Sequence, residues 1–178
     1  MIRAHAMRLF RAQGYEATTV QQIIDDVEIS ESTFFRYFPT KGDVVLTDDF
    51  DPIIIAAFQR QPADLTPIQA LRGAFREAFS QLGPDEIAEQ SGRMHMMLAV
   101  PELRAAMLEQ FVAAMRLLGT ILAERAGRNP DDMAVRTLSG AVVGAAMAVM
   151  LAVVGDPDAD LSLLLDEAMS HLEDGLLL

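Results

Sequence analysis

The chain has 178 residues, enough for one or two domains with a true core, and its 14 basic against 26 acidic side chains give a net charge of −12. It contains no cysteine, which excludes a disulfide framework or a thiolate metal site and agrees with a reducing cytoplasm. The opening residues MIRAHAMRLF place arginines inside an apolar helical pattern rather than in a signal-peptide layout, so the protein reads as unsecreted.

Taken in order, Ile2 to Gln13 reads as a helix with Ile2, Ala6, Leu9 and Phe10 on one face, closed by Gly14. Its Arg3, Arg8 and Arg11 read either as solvated helix charges or as phosphate contacts. Thr19 is placed to cap a short second helix whose Val20, Ile23, Ile24 and Val27 recur at helical spacing. Glu28-Ile29-Ser30-Glu31 breaks the pattern, with Ser30 placed to cap a third helix from Glu31 to Phe38. That helix is too short to stand alone. Packing of Phe34 and Phe38, four residues apart, must hold it, which turns Ser32, Thr33, Phe35, Arg36 and Tyr37 to the other side. Pro39 ends it, and Lys41 opens the next helix. Two short helices joined by a tight turn, the second presenting hydroxyls, an arginine and aromatics, form a helix-turn-helix unit able to lay its second helix in a DNA major groove.

The run FFRYFPTKGDVV from Phe34 to Val45, preceded by Thr18-Thr19-Val20 and followed by an all-helical remainder, resembles the N-terminal domain of TetR/AcrR-type transcriptional regulators. Glu28 departs from the family pattern, which has glycine in that turn, and is expected to take a left-handed conformation. The resemblance implies that Ser32, Thr33 and Phe35 face bases or sugars and that Arg36 reaches a guanine or a phosphate. It further implies that Tyr37, Lys41 and the hydroxyl of Thr18 or Thr19 hold phosphates. It implies an all-α fold of about nine helices: an N-terminal three-helix helix-turn-helix domain over residues 1–47 and a C-terminal helical ligand-binding and dimerisation domain over residues 48–178. The segment FFRYFPTK and the later DDFDP also resemble the branch of the family with acyl-CoA-like ligands.

Charge divides unevenly along the chain. Residues 1–47 hold five basic and six acidic side chains, net −1, whereas residues 48–178 hold nine and twenty, net −11. The acid would repel DNA from every surface but one, favouring orientation over affinity. A value of −1 is poor for a DNA-binding module, and related proteins carry a basic arm ahead of the first helix, so native residues are expected to precede this chain.

From Gly42 a helical pattern runs through Val44, Val45 and Leu46 and the acidic 47–51 stretch to Ile53, Ile54, Ile55 and Phe58, kinked or split at Pro52. It reads equally as a passive connector or as a lever on the reading head. Gln61 to Pro67 is the clearest linker, and Pro67 fits the first turn of a helix from Ile68 to Leu82 with Leu71, Phe75, Ala78, Phe79 and Leu82 on one face. Further helices are read from Asp85 to Ala99 and from Pro101 to Ala126, the latter with Leu103, Met107, Leu108, Phe111, Met115, Leu118 and Leu122 inward. Thr137 to Gly155 is uncharged and carries Gly140 and Gly144; it is long enough for a membrane span, but alanine and glycine richness and the absence of interfacial aromatics favour a helix buried against a partner helix. A last amphipathic helix, Leu161 to Leu176, follows the turn Gly155-Asp156-Pro157-Asp158. These two helices suit a homodimer interface. A dimer is needed in any case, since one recognition helix reads too few base pairs and a twofold pair reads a palindromic operator.

For the second domain the resemblance implies a pocket for a small apolar or acyl-CoA-like effector, lined by Phe75, Phe79, Met94, Met97, Phe111, Met115 and Met147, with His95 and Arg116 as polar handles. The same methionines read alternatively as plain core. The chain has no HExxH, GxSxG or Walker pattern and no cysteine nucleophile, and His5, His95 and His171 are far apart. Glu86, Glu89 and His95 resemble half of a carboxylate metal site, but a second Glu-x-x-His helix is missing. The reading is therefore a cytoplasmic repressor, with no enzyme activity, cofactor or metal. The alternative is a helical partner-binding adaptor that has lost DNA binding, which Glu28 and the acidic balance keep open.

Overall fold

A computed structural model describes residues 1–47, 50–156 and 158–176. All regular structure among them is helical, in ten helices: α1 (Ile2–Gln13), α2 (Val20–Val27), α3 (Glu31–Tyr37), α4 (Asp43–Leu46), α5 (Asp51–Arg60), α6 (Pro67–Phe79), α7 (Pro84–Ala99), α8 (Pro101–Ala126), α9 (Met133–Gly155) and α10 (Leu161–Glu173). The expected count of nine becomes ten because the pattern around Pro52 is split rather than kinked. Pro52 sits in the first turn of α5, where its missing N–H costs nothing. Asp48, Asp49 and Pro157, which belong to the acidic stretch and to the last turn read from sequence, lie outside the described residues.

The chain gathers into two compact units, Met1–Asp48 with His95–Met107, and Asp49–Met94 with Leu108–Leu178. The first unit therefore takes in a distant segment that a boundary at residue 47 leaves out. Its core joins Ala6, Met7 and Phe10 of α1 to Ile23, Ile24, Phe34, Val44 and Val45, and Leu103 from the first turn of α8 is fully buried among them. Met7 joins the face read from sequence, while Ile2 and Leu9 pack at its margin. The corner between α3 and α4 is closed reciprocally. Thr40 Oγ1 accepts from the Asp43 amide at 3.2 Å, and the Asp43 carboxylate accepts from the Thr40 amide at 2.8 Å, so α4 begins after Lys41 rather than at it.

In the second unit Leu71, Ala70 and Ala74 of α6, Leu122 of α8, Val142, Val149 and Val153 of α9, and Leu161, Leu165 and Met169 of α10 form one core with Ala57 and Phe58 of α5. Thr66 caps α6 through a reciprocal pair with Gln69, and Pro67 occupies its first position. The linker before it is fixed by Arg125, whose guanidinium donates to the carbonyls of Gln61, Pro62 and Leu65 and lies 5.3 Å from the Phe58 ring. On α8, Leu103, Met107 and Leu122 are buried as expected, but Leu108 is 70 % exposed. One residue advances a helix by about 100°, so Met107 and Leu108 cannot both face inward. Helices α6 and α10 end earlier than their apolar patterns suggested, at Phe79 and Glu173.

An ion-pair network ties α6 to α10. Arg72 donates two hydrogen bonds to Asp166, at 2.8 and 3.0 Å, and a third to Glu173 at 3.0 Å, while Arg76 donates to both Asp166 oxygens and Gln69 to Glu173. These bonds, from Arg72 first and Arg76 second, hold the Asp166 carboxyl well below the usual carboxylate range. A carboxyl depressed in the folded state stabilises fully above its unfolded pKa of about 3.9 and loses that contribution as the pH falls further. Thermal melting of Asp166→Asn should therefore show a lower Tm at pH 7 and a gap to the parent that narrows on acidification towards pH 3. An unchanged gap would remove Asp166 from the acid response.

Candidate nucleic-acid interface

The exposed face of α3 is built by three local devices, each legible in the residues. Thr19 caps α2 by accepting from the Gln22 amide, and the Gln22 side chain accepts from the Thr19 amide at 2.8 Å. At the other end Glu28 takes φ 58° and ψ 46°, the left-handed conformation expected from the missing glycine, and turns the chain so that the Ile29 amide reaches the Ile24 carbonyl at 3.2 Å. Ser30 then caps α3 by accepting from the Thr33 amide, with its Oγ also 3.0 Å from the Ser32 hydroxyl and 2.8 Å from the Thr33 hydroxyl.

Orientation follows from one anchor. Phe34 is fully buried and packs against Phe38, ring centres 5.9 Å apart. Seven residues are less than two helical turns, so that anchor alone sets the rotation of α3. Ser32, Phe35, Arg36 and Tyr37 emerge exposed and Thr33 half-buried. Phe35 is 41 % and Tyr37 60 % exposed, and the Arg36 guanidinium lies 5.0 Å from the Tyr37 ring. Phe35 keeps one edge against the buried Phe34 ring, centroids 5.3 Å apart, while the rest of it and most of Tyr37 remain open to an outside partner.

The expected phosphate contacts divide. Thr19 is exposed, and its hydroxyl accepts from the Gln22 amide, which leaves its own proton to donate. Thr18 is fully buried; its hydroxyl donates to the Gly14 carbonyl at 2.7 Å and accepts from Gln13, so of the two threonines only Thr19 is open to a phosphate. Gly14, at φ 90° and ψ 151°, makes this turn in a region that side chains with a Cβ avoid. Lys41 is half-buried and partly engaged at home: Nζ donates to the Tyr15 carbonyl at 2.9 Å and the Thr18 carbonyl at 3.1 Å. Two of the arginines of α1 are likewise engaged. Arg3 Nε donates to the Val44 carbonyl at 3.1 Å, and Arg8 with His5 clasps Asp26 across to α2, lowering that carboxyl's pKa through Arg8 first and His5 second. Arg11 is exposed. Tyr15 was missed from sequence. It is buried against Phe10, its hydroxyl reaches Glu102 at 3.4 Å, and burial first, then the Glu102 charge, push its pKa up to about 12.

The residues expected to line an effector pocket fall in both units, and two of them, Phe75 and Phe79, share one cleft. Phe75, Phe79 and Met94 pack against the core of the second unit, and Met115 lies beside Gly140. Phe111 is half-buried and Arg116 exposed. His95 is exposed and belongs, with Met97, to the first unit, where Met97 packs on that unit's core. Met147 points outward on α9 at 38 % exposure. A shallow cleft of about 190 Å³, counted out to open solvent, is lined by Phe75, Phe79, Leu165 and Met169 with Arg72, Arg76, Ser162 and Asp166 at its polar side. That is smaller than pockets for drug-sized ligands, which run from about 300 Å³ upward. Among the described residues no group of three or more His, Asp or Glu side chains is arranged to hold a metal ion.

Known proteins resemble the chain over both units. Residues 2–47 match the family described as bacterial regulatory proteins, tetR family, and residues 65–177 match the MftR C-terminal domain. The HTH-type transcriptional regulator TcmR of Streptomyces glaucescens is 38 % identical over 134 residues, covering 71 % of this chain and 59 % of TcmR; the chain thus spans less than two thirds of that relative. Among solved structures, FadR of Thermus thermophilus, a TetR-family transcriptional repressor in complex with lauroyl-CoA, superposes with a TM-score of 0.60 at 25 % identity, covering 99 % of this chain and 94 % of FadR. The fatty acid degradation regulator FadR of Bacillus halodurans shares the fold, with a TM-score of 0.63 at 21 % identity, covering 99 % of this chain and 98 % of the other.

A left-handed backbone at a residue with a Cβ costs roughly 1 to 2 kcal/mol. Glu28→Gly should therefore raise unfolding stability by about 1 kcal/mol, measured by chemical denaturation. A destabilised variant would mean that the Glu28 side chain contributes a contact worth more than the strain.

Proposed function

The chain belongs to the TetR family of bacterial regulatory proteins, and we propose that it works in the cytoplasm as a homodimeric repressor that leaves a palindromic operator when a small apolar or acyl-CoA-like effector binds. One observation carries the DNA half: Phe35, Arg36 and Tyr37 stand in solvent on a helix whose opposite side is sealed into its own core. In this reading Ser32, Thr33 and Phe35 meet bases or sugars, and Arg36 meets a guanine or a phosphate. Tyr37, Thr19 and the remaining donor of Lys41 hold phosphates and fix register. Thr18 serves instead to shape the turn beneath Lys41.

Helix α9 supports the dimer half of the reading. Its 18-residue window has a mean hydropathy of 2.2, yet only 33 % of it is buried within one chain. Helices α8 and α9 are both long and apolar enough to cross a membrane by length and composition. A partner helix accounts for the outward side of α9 equally well, since Gly144, Ala148 and Ala152 are exposed there beside Met147 and Leu151, and small residues permit close approach. The effector class rests on the lauroyl-CoA complex of the Thermus relative and on methionine and phenylalanine side chains able to repack around an acyl chain.

Selection from a random duplex library should return a palindrome whose half-sites lie about one helical turn, ~34 Å, or a multiple of it apart. Failure to enrich any sequence, or a monomer in solution, would overturn the reading. Against the selected site Thr33→Ala should lose about 1 to 3 kcal/mol while its binding to random duplex stays the same. Lys41→Ala should weaken both and lower the salt slope by about 0.9 for each chain bound. Lauroyl-CoA should raise the melting temperature and release the duplex; a flat thermal response across an acyl-CoA series would remove that effector class.

A further inference from the structure

We propose that Tyr15 and Glu102 are positioning residues for the phosphate contact of Lys41, holding its ammonium in place from beneath without touching DNA themselves. The inference rests on the reading of Lys41 as a phosphate contact.

The geometry is a stack of three groups within the first unit. A lysine ammonium carries three donors. Two of those on Lys41 are taken by the carbonyls of Tyr15 and Thr18, and Nζ also lies 4.2 Å from the centre of the Tyr15 ring. Tyr15 thus contributes both a carbonyl acceptor and a ring face to one cation, which leaves one N–H for an outside oxygen. The far end of the same ring is tethered, because the Tyr15 hydroxyl donates to Glu102 Oε1 at 3.4 Å. Glu102 stands in the first turn of α8, and the next residue, Leu103, is buried in the core of this unit.

Close packing at Gly42, the neighbour of Lys41, supplies an independent observation. A Cβ there would come within 3.3 Å of Leu103 Cδ2 and within 3.5 Å of the Tyr15 hydroxyl oxygen. Backbone and side chain of the Lys41-Gly42 pair therefore rest on the same floor, made by Tyr15 and the start of α8. A lysine is ordinarily a mobile point charge on a long stem. Here the stem is steered before any phosphate arrives, which lowers the ordering cost of the contact.

Glu102 is exposed, so substitution there spares the core. The test is a set of binding titrations of the full chain against random-sequence duplex over a range of salt, since a phosphate contact does not depend on sequence. Glu102→Ala and Tyr15→Phe break the same hydrogen bond and should each weaken binding about threefold to tenfold, the double variant no further than either alone. Glu102→Gln keeps an acceptor for the hydroxyl and should bind like the parent. In a Lys41→Ala background Glu102→Ala and Tyr15→Phe should have no additional effect. Equal losses with and without Lys41 would show a role in the fold alone and overturn the inference. A salt slope unchanged by Lys41→Ala would instead sink the phosphate reading beneath it, and the two failures are told apart by that single variant.

Discussion

Burial of Phe34 is the constraint from which the reading surface follows. A helix of seven residues has too few internal hydrogen bonds to persist in water, so α3 exists because its anchor is held by α1, α2 and α4. The same contact fixes the helix about its own axis. Rotating α3 by one residue would bury Phe35 and expose Phe34, and every side chain offered to a duplex would change. Sequence specificity in such a unit is therefore a consequence of core packing, and core substitutions near Phe34 act on recognition as directly as substitutions on the exposed face.

Electrostatics in this unit are arranged for placement more than for attraction. With a net charge of −1 over residues 1–47, few cations are available, and several of those present already have partners in the fold. Arg8 clasps Asp26, Arg3 donates to Val44, and Lys41 divides its donors between two carbonyls. Each engaged cation holds a turn or a helix pair in place and keeps part of its field for solvent. Counterion release then contributes less to affinity than in a strongly basic module, and the weight shifts to base contacts and to the twofold repetition of the site.

Much of this was legible because the governing interactions are local. The bounds of α1, the caps at Thr19 and Ser30, the left-handed Glu28 and the split of Phe34 and Phe38 from Phe35 and Tyr37 all depend on residues within a few positions of one another. What escaped depends either on a backbone turn that the side-chain pattern does not show or on distant residues. Thr18 looks like a free hydroxyl beside Thr19 until the Gly14 carbonyl and Gln13 are seen to enclose it. Tyr15 gains its role from Glu102, 87 residues away. Composition likewise marks Met97 and Met147 as apolar but cannot say that one joins the core of the first unit while the other faces outward on α9.

Helix α9 turns the same charge logic to association. Two copies of a chain carrying −12 repel wherever their acidic faces meet, and the repulsion between exposed charges fades only beyond a Debye length of about 8 to 10 Å. From Thr137 to Gly155 there is no charge to oppose approach, and the outward glycines and alanines let backbones come near enough for dispersion to count. The clamp of Arg72 and Arg76 on Asp166 and Glu173 holds α10, the neighbour of α9, to α6 from the other side. An uncharged stretch of helix packed against a neighbour fixed by ion pairs is a surface that would favour its own copy over the other acidic faces of the molecule. In the proposed assembly, exclusion of charge would select the dimer contact as the near-neutral first unit would select the face turned to DNA.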